Sequence, residues 1–322
     1  MAQTIGKVWL CSDAQASMDV ATGVPMEISK GHSAYLTLLT AVEAPRDPFL
    51  RTPLGQEMTG LVREDRQQRL HTLEQQAQRK LLQGQVEYVV LEGEVAWHTL
   101  TSHAIKHQPD LVIVPADGGA SAGSFGTLGQ HLFLKCPAPV WSVQSSARRV
   151  PKRALVAEDS GSEKSDERPL SQEVLRLAIG LAAHSGMELH LGHGWSLYDD
   201  GLIASKYGAE GRKPSLDLQL QFARDATEQR LKQTAGKDRM AAVHAPKREP
   251  GKAISALANE IDADVVILGS AARRGLQGFF IGRIAETILS RLGRSALVVK
   301  HPGFISPVAS SPMPDSVRAI VS

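Results

Sequence analysis

The stretch HQPDLVIVPA at residues 107 to 116 recurs as IDADVVILGS at residues 261 to 270, an offset of 154, and CPAPVWSV at 136 to 143 recurs as GRSALVVK at 293 to 300, an offset of 157. A chain of 322 residues that repeats itself at half its length folds as two copies of one unit, and each copy has the size of an ordinary domain. Within the first copy, short apolar runs recur at Val8 to Cys11, Tyr35 to Val42, Val86 to Leu91, Leu111 to Val114 and Val140 to Val143, with helical segments between them. The same order returns at Ala154 to Ala157, Glu188 to His193, Ala241 to His244, Val265 to Leu268 and Ala296 to Val299. Runs this short, apolar on both faces and separated by helices, predict parallel strands covered on both sides. The fold class is therefore α/β, two tandem doubly wound parallel sheets of five strands each.

The intervening segments agree. LSQEVLRLAIGLAAHSG (170 to 186) puts Leu170, Val174, Leu177, Ala178, Leu181 and Ala182 on one helical face and stops at Gly186, and REDRQQRLHTLEQQAQRKLLQG (63 to 84) is a charged amphipathic helix stopping at Gly84. Gly23 and Pro25 fall where the first helix belongs, so that helix is short, kinked or late. The basic, proline-containing SSARRVPKR (145 to 153) is the linker, its charge a solvated face. The expected boundaries are a first domain over 1–147, a second over 153–303 and a flexible tail over 304–322, rich in Pro and Ser.

Composition narrows the partners. With 36 basic and 34 acidic side chains the net charge is near zero, so the molecular field gives no reason to expect nucleic acid as a partner. No window approaches the ~18 apolar residues of a membrane span, and Cys11 and Cys136 are too few for a disulfide framework. The expectation is a cytoplasmic protein, both cysteines small buried apolar residues.

In DADVVILGSAARRGLQGFFIGRIAETILSRLGRSALVVK (262 to 300), Ala-Asp precedes a strand and Gly-Ser follows it, then come a Gly-Leu turn, Gly282 before Ala-Glu-x-x-Leu, and an apolar final strand ending in Lys. With DLVIV and LKCPAPVWSV in the first half, these residues make the chain resemble the universal stress protein family, in its tandem-domain bacterial form. The resemblance implies the strand order 3-2-1-4-5 in each half, the adenine-nucleotide α-hydrolase-like fold, and final strands that pair with each other, so that the chain is its own pseudo-dimer. It leaves room for a homo-oligomer or a protein partner beyond that.

In members that bind ATP, an Asp ending strand one addresses the adenine, and a loop Gly-x-x-Gly-(nine residues)-Gly-Ser/Thr wraps the phosphates. Carried over residue by residue, Asp159 is the strand-one acid, Gly269 the first glycine with Ser270 beside it, Ala272 stands at the second glycine, Gly282 is the third, and Arg283 replaces Ser/Thr. Ala272 adds a methyl where backbone must approach phosphate, while Arg283 loses the hydroxyl but brings a cation. In the first half Asp13 is the strand-one acid, a weaker candidate, and Pro115-Ala116-Asp117 replaces Gly-Ser in a connection three residues shorter. Proline lacks the donor and Asp117 repels phosphate, so no ATP is expected there. The motifs demand no cofactor, and ATP or AMP in the second domain is the candidate ligand.

HLGHGW (190 to 195) carries the His-x-Gly-His spacing of nucleotidylyltransferases, but on the second strand of its half and without a partner signature. The expected arrangement puts His190 and His193 on opposite faces of a strand end, with Gly192 marking a close approach. His98, His103 and His107 share one helix without a carboxylate or thiol at ligand spacing, which reads as solvated histidines and not a metal site. The motif reading is a non-enzymatic stress-response protein, a ligand-binding or interaction module, with an adenine-nucleotide switch in the second domain as the alternative.

Overall fold

The computed structural model describes residues 4–12, 23–43, 52–78, 85–93, 95–116, 123, 125–158, 168–194, 225, 229, 241–270, 281–310 and 319–321. The first lobe runs β1 (Lys7–Ser12), α1 (Gly23–His32), β2 (Tyr35–Glu43), α2 (Pro53–Gln78), β3 (Val86–Gly93), α3 (Ala96–His107), β4 (Leu111–Pro115), α4 (Gly126–Lys135) and β5 (Val140–Val143). The second runs β6 (Arg153–Ala157), α5 (Arg168–Ser185), β7 (Glu188–Gly192), β8 (Ala242–His244), α6 (Pro250–Glu260), β9 (Val265–Ser270), α7 (Arg283–Arg291) and β10 (Ser295–Lys300). Each lobe has the order 3-2-1-4-5, all parallel, as the resemblance implies.

The two sheets are not separate. β5 and β10 pair antiparallel, Ser142 opposite Ala296, Trp141 opposite Leu297 and Val140 opposite Val298, giving one sheet that has eleven strands among the described residues. Each face of that sheet carries a core that runs through both lobes. One core joins Leu10, Ile113 and Trp141 to Leu297, Val156 and Leu177; the other joins Trp9, Val114 and Phe133 to Val298, Leu268 and Ile288. Every large side chain at the seam would stand on an open edge if the lobes parted, and burying one is worth about 1.5–3 kcal/mol.

The faces also correct the repeat alignment. Trp141 shares a core with Leu297, and Val140 shares the other with Ala296, so the last strands superpose at an offset of 156 and not 157. The ladder agrees, since Val114 opposes Ser142 where Leu268 opposes Val298. The first-lobe connection is accordingly two residues shorter, not three.

Helix ends follow local chemistry. α1 is described from Gly23 and contains Pro25; the residues between β1 and Gly23 lie outside the described residues. α2 begins ten residues before the charged amphipathic pattern, because the Thr52 hydroxyl accepts from the Gly55 N–H and Pro53 takes the first helical position. α5 ends where Gly186 turns to φ 67°.

The repeated aspartate before strand four has a structural role in both lobes. Asp110 Oδ2 accepts from the backbone N–H of Gly6 and Lys7 at 2.8 and 2.9 Å, and Asp264 Oδ2 accepts from Lys152 and Arg153 at 2.7 and 3.0 Å. Each carboxylate fastens the start of strand one to the start of strand four. The linker is held by the same end of the sheet: Arg148 donates to Asp264 and Asp262, and Arg294 donates to Asp262. Those two guanidiniums hold the Asp262 carboxyl at about 2, below its ordinary value.

The segment expected to be a flexible tail contains regular structure. Pro307–Ser310 forms a 3-10 turn against α3 with Val308 buried, and β11 (Ala319–Val321) pairs antiparallel with β3, Ile320 opposite Val90.

α1 and α5 meet across the lobes. A Cβ on Gly31 would lie 3.0 Å from His184 Cβ, and the His32 and His184 rings stack at 4.0 Å. Burial, then the facing His184 charge, lowers His32 to about 4. Two predictions follow from these contacts. Replacing Asp264 by Ala should cost about 1–3 kcal/mol in urea unfolding, because two strand-start donors lose their acceptor. As for pH, unfolded His32 takes a proton near its ordinary value of 6.5 whereas folded His32 does so only near 4; stability present above 6.5 is therefore lost as pH falls toward 4. His32→Leu should flatten the fall in melting temperature over that window, and an unchanged slope would remove His32 from the acid response.

Candidate functional site

Parallel strands leave their C-terminal ends on one edge, and loops from that edge to the helices that follow build the sites of doubly wound folds. In the second lobe this edge is formed by Ala157, Ser270 and Lys300, with the first turn of α7 beside it. Of the residues singled out in the sequence, Gly269, Ser270, Gly282 and Arg283 are placed here, while Asp13, Asp159 and Ala272, like Asp117, lie outside the described residues.

Gly269 is a glycine for packing. A Cβ there would stand 2.8 Å from Leu170 Cγ and 2.9 Å from Leu170 Cδ2, because the first turn of α5 crosses the end of β9. Ser270 is fully buried, and its hydroxyl is committed on both sides: it donates to the Ile281 carbonyl at 3.0 Å and accepts from Lys300 Nζ at 3.3 Å. That hydroxyl ties the end of β9 to the residue before α7.

Gly282 has the opposite character. It is the N-cap of α7 at φ 106°, a conformation that disfavours any side chain, and among the described residues nothing lies within 4 Å of where its Cβ would be. No side chain of the described residues caps the helix; its acidic first-turn residue is Glu286, whose N–H donates to the Gly282 carbonyl. Arg283 opens the helix and is exposed. A helix N-terminus that no described side chain caps, with a guanidinium beside it, attracts anions.

In the first lobe the residue equivalent to Gly282 at the offset of 156 is Gly126, also at positive φ (65°), followed by the exposed Thr127 where the second lobe has Arg283. Phe125 before it, 2 % exposed and edge-on to Phe133 at 5.4 Å, answers to the buried Ile281. Ala116 takes the position of Ser270 and is buried. Gly123, at φ 82°, lies against Ser290 and donates its N–H to the Leu292 carbonyl, a contact with the second lobe.

The histidines are engaged elsewhere. His190 Nδ1 lies 3.0 Å from His244 Nε2 across β7 and β8, with burial and then the His244 charge lowering its pKa. The His193 imidazole donates from Nδ1 to the Glu158 carbonyl at 2.8 Å. Between them Gly192 is the close approach that was expected, since a Cβ would meet Leu155 Cδ1 at 2.9 Å and both Ile254 and Leu257 at 3.0 Å. His103 stacks on His107 at 4.1 Å and on Trp9 at 5.1 Å, and burial lowers it to about 4. No group of three His, Cys, Asp or Glu side chains able to hold a metal occurs among the described residues. Nor, among them, is any helix long and apolar enough to cross a membrane. Cys11 and Cys136 are free and buried.

Lys300 is the residue that the sequence reading passed over, taken there only as the end of an apolar strand. Its signal was a lone cation closing a run that is apolar on both faces.

A doubly wound α/β lobe with a glycine-opened helix after strand four, present twice, defines the class, and sequence comparison agrees with it. The model of the universal stress protein family matches residues 6–144 and again 153–300, so the chain belongs to the universal stress protein family and carries its domain in tandem. It is similar to universal stress protein E of Escherichia coli (strain K12) and of Salmonella typhi, 27% identical to each over 230 residues, covering 68% of this chain and 71% of theirs. The protein of that name from Photorhabdus laumondii is 26% identical over 254 residues, 76% of this chain and 78% of that one. In structure the chain is similar to a universal stress protein from Archaeoglobus fulgidus DSM 4304, with a TM-score of 0.59 and 15% identity over 91% of this chain and 96% of that one. This last likeness speaks to the fold.

The packing role of Gly269 is directly testable. Gly269→Ala should destabilise the chain by about 1–3 kcal/mol through overpacking against Leu170. Combining it with Leu170→Ala should give less than the sum of the two single effects. Additive losses would mean that the glycine serves something other than this contact.

Proposed function

We propose that the chain is a non-enzymatic, cytoplasmic stress-response module whose second lobe binds a small phosphate-bearing ligand at the N-terminus of α7, with adenine nucleotides as the first class to examine. The observation that carries this reading is the start of α7: Gly282 stands there at φ 106° with no atom of the described residues within 4 Å of where its Cβ would be, and beside it is the exposed Arg283, a cation that the first lobe, with Thr127 at that place, lacks. The backbone N–H groups of the first turn of α7 and the Arg283 guanidinium would meet the phosphate. Asp159 and Ala272 are assigned to the same ligand by family resemblance, the first on the base. Gly269 and Ser270 frame the site from behind without touching the ligand, since Leu170 fills the space at one and the other is buried.

The non-enzymatic part of the reading is supported by how the polar atoms are spent. Ser270 and Lys300 have the atoms of a serine–lysine nucleophile pair, but both are buried and the hydroxyl proton is directed at the Ile281 carbonyl. The reducing compartment fits two free, buried thiols.

Calorimetric titration with ATP, AMP and pyrophosphate decides the matter. One submillimolar site per chain is expected, weakened about tenfold by Arg283→Glu through loss of a charge-assisted contact, with the melting temperature of the free protein unchanged. Two sites per chain, or silence with all three compounds, would defeat the proposal.

A further inference from the structure

Lys300 ends β10 with 4 % of its surface exposed, and no carboxylate meets it among the described residues. Its ammonium donates to the Phe133 carbonyl in the last turn of α4 and to Ser270 Oγ at 3.3 Å, and lies 5.1 Å from the centre of the Phe304 ring. The Phe133 carbonyl would ordinarily accept from the N–H four residues on, but that residue is Pro137, which has none. Lys300 satisfies this orphan.

Among the described residues the charged groups around it are few. On the turn into β5, Cys136 is buried and its thiol is pushed up to about 12, so it is neutral, and the neighbouring Lys135 turns its Nζ to Trp97 and His131. His301 follows in the chain, with Nδ1 accepting from the Gly303 N–H. On α5 the Glu173–Arg176 pair is closed on itself, and on α7 Arg283 is exposed.

The duplicated chain supplies an internal control. At the structural offsets, Ala116 stands where Ser270 does and Gln144 where Lys300 does, both buried. At these two positions the first lobe carries neither a hydroxyl nor a cation, so the same fold forms without the pair.

We propose that Lys300 is a proton-controlled positioning residue: as an ammonium it holds the Ser270 hydroxyl on the Ile281 carbonyl and so sets the start of α7 for an anionic ligand, and as a neutral amine it lets that hydroxyl turn away. The chemistry is one of donor counting. An ammonium has three donors and no acceptor, so Ser270 Oγ must accept from it and send its own proton to Ile281. A neutral amine offers a lone pair, to which the Ser270 hydroxyl can donate instead, and the Ile281 carbonyl is released. Burial lowers Lys300 to about 7, so both forms are populated near neutrality, with the displaced proton going to water. The ligand half of this proposal rests on the phosphate reading above; the hydroxyl half does not.

The test uses the full chain with Lys300→Gln and Ser270→Ala, each importing the first lobe's own residue. Lysine-selective NMR, assigned by loss of the signal in K300Q, should show a Lys300 midpoint near neutrality, and the Gly282 and Arg283 amide resonances should move with the same midpoint in the wild type but not in S270A. A midpoint of about 10, the ordinary lysine value, or amide shifts that survive in S270A, would overturn the proposal. ATP affinity measured at pH 6.5 and 8.5 should fall at least threefold more in the wild type than in either variant, which report the phosphate's own titration. Equal falls in all three proteins would overturn the ligand coupling. No binding by any of them would overturn the phosphate reading, with the hydroxyl switch still decided by the amide shifts.

Discussion

The antiparallel contact between β5 and β10 determines most of what is distinctive in this molecule. A final strand that is apolar on both faces cannot be left as a bare edge without inviting association. Duplication places two such edges in one chain, and pairing them covers both at once. Because the pairing is antiparallel, the C-terminal strand edge of each lobe lies beside the opposite end of its neighbour. Lys300 therefore reaches the last turn of α4, and Gly123 reaches the end of α7. Each lobe's C-terminal edge is built partly from the other lobe.

On that geometry the lobes differ in side chains and not in backbone. Both helices after strand four begin at a glycine of positive φ, Gly126 at 65° and Gly282 at 106°. The first lobe sets Thr127 after its glycine and the buried Ala116 at the end of strand four, where the second sets Arg283 and the buried Ser270. The cation and the hydroxyl are thus both on the second copy's edge, beside Lys300.

Much of this was legible in the sequence, for reasons that can be named. The helix over 170–186 announces itself through a 3.6-residue period of Leu and Ala and a terminal glycine, and the structure has it with Leu177 and Ala178 fully buried. Gly192 is a glycine inside a strand and marks the predicted close approach. The register of the last strands was not legible, because VWSV and ALVVK are buried on both faces and lack the alternation that tells one face from the other. The early start of α2 was hidden by an exposed first half; its signal was the Thr52-Pro53 cap and not periodicity. At the site, glycine spacing located Gly269 and Gly282 but could not say that one answers to Leu170 and the other to a positive φ at a helix start. Lys300 was missed because a cation at a strand end is ordinarily solvent-facing, and only the folded seam buries it.

The seam also accounts for the backbone groups that helix ends leave over. Every helix terminates with carbonyls that have no partner inside it, and a buried carbonyl without a donor is costly. α4 ends before Pro137, which withholds the N–H that Phe133 needs, and the donor comes from Lys300 in the other lobe. α7 ends at Leu292, whose carbonyl takes the Gly123 N–H from the first lobe. The lobes thus exchange donors across the pseudo-twofold, one a backbone amide and the other a side-chain amine. A backbone amide keeps its proton at any pH at which the chain is folded, whereas a buried amine does not. Of the two reciprocal contacts, only the one behind the open helix of the second lobe can respond to protons, and it is the one connected through Ser270 to the start of that helix.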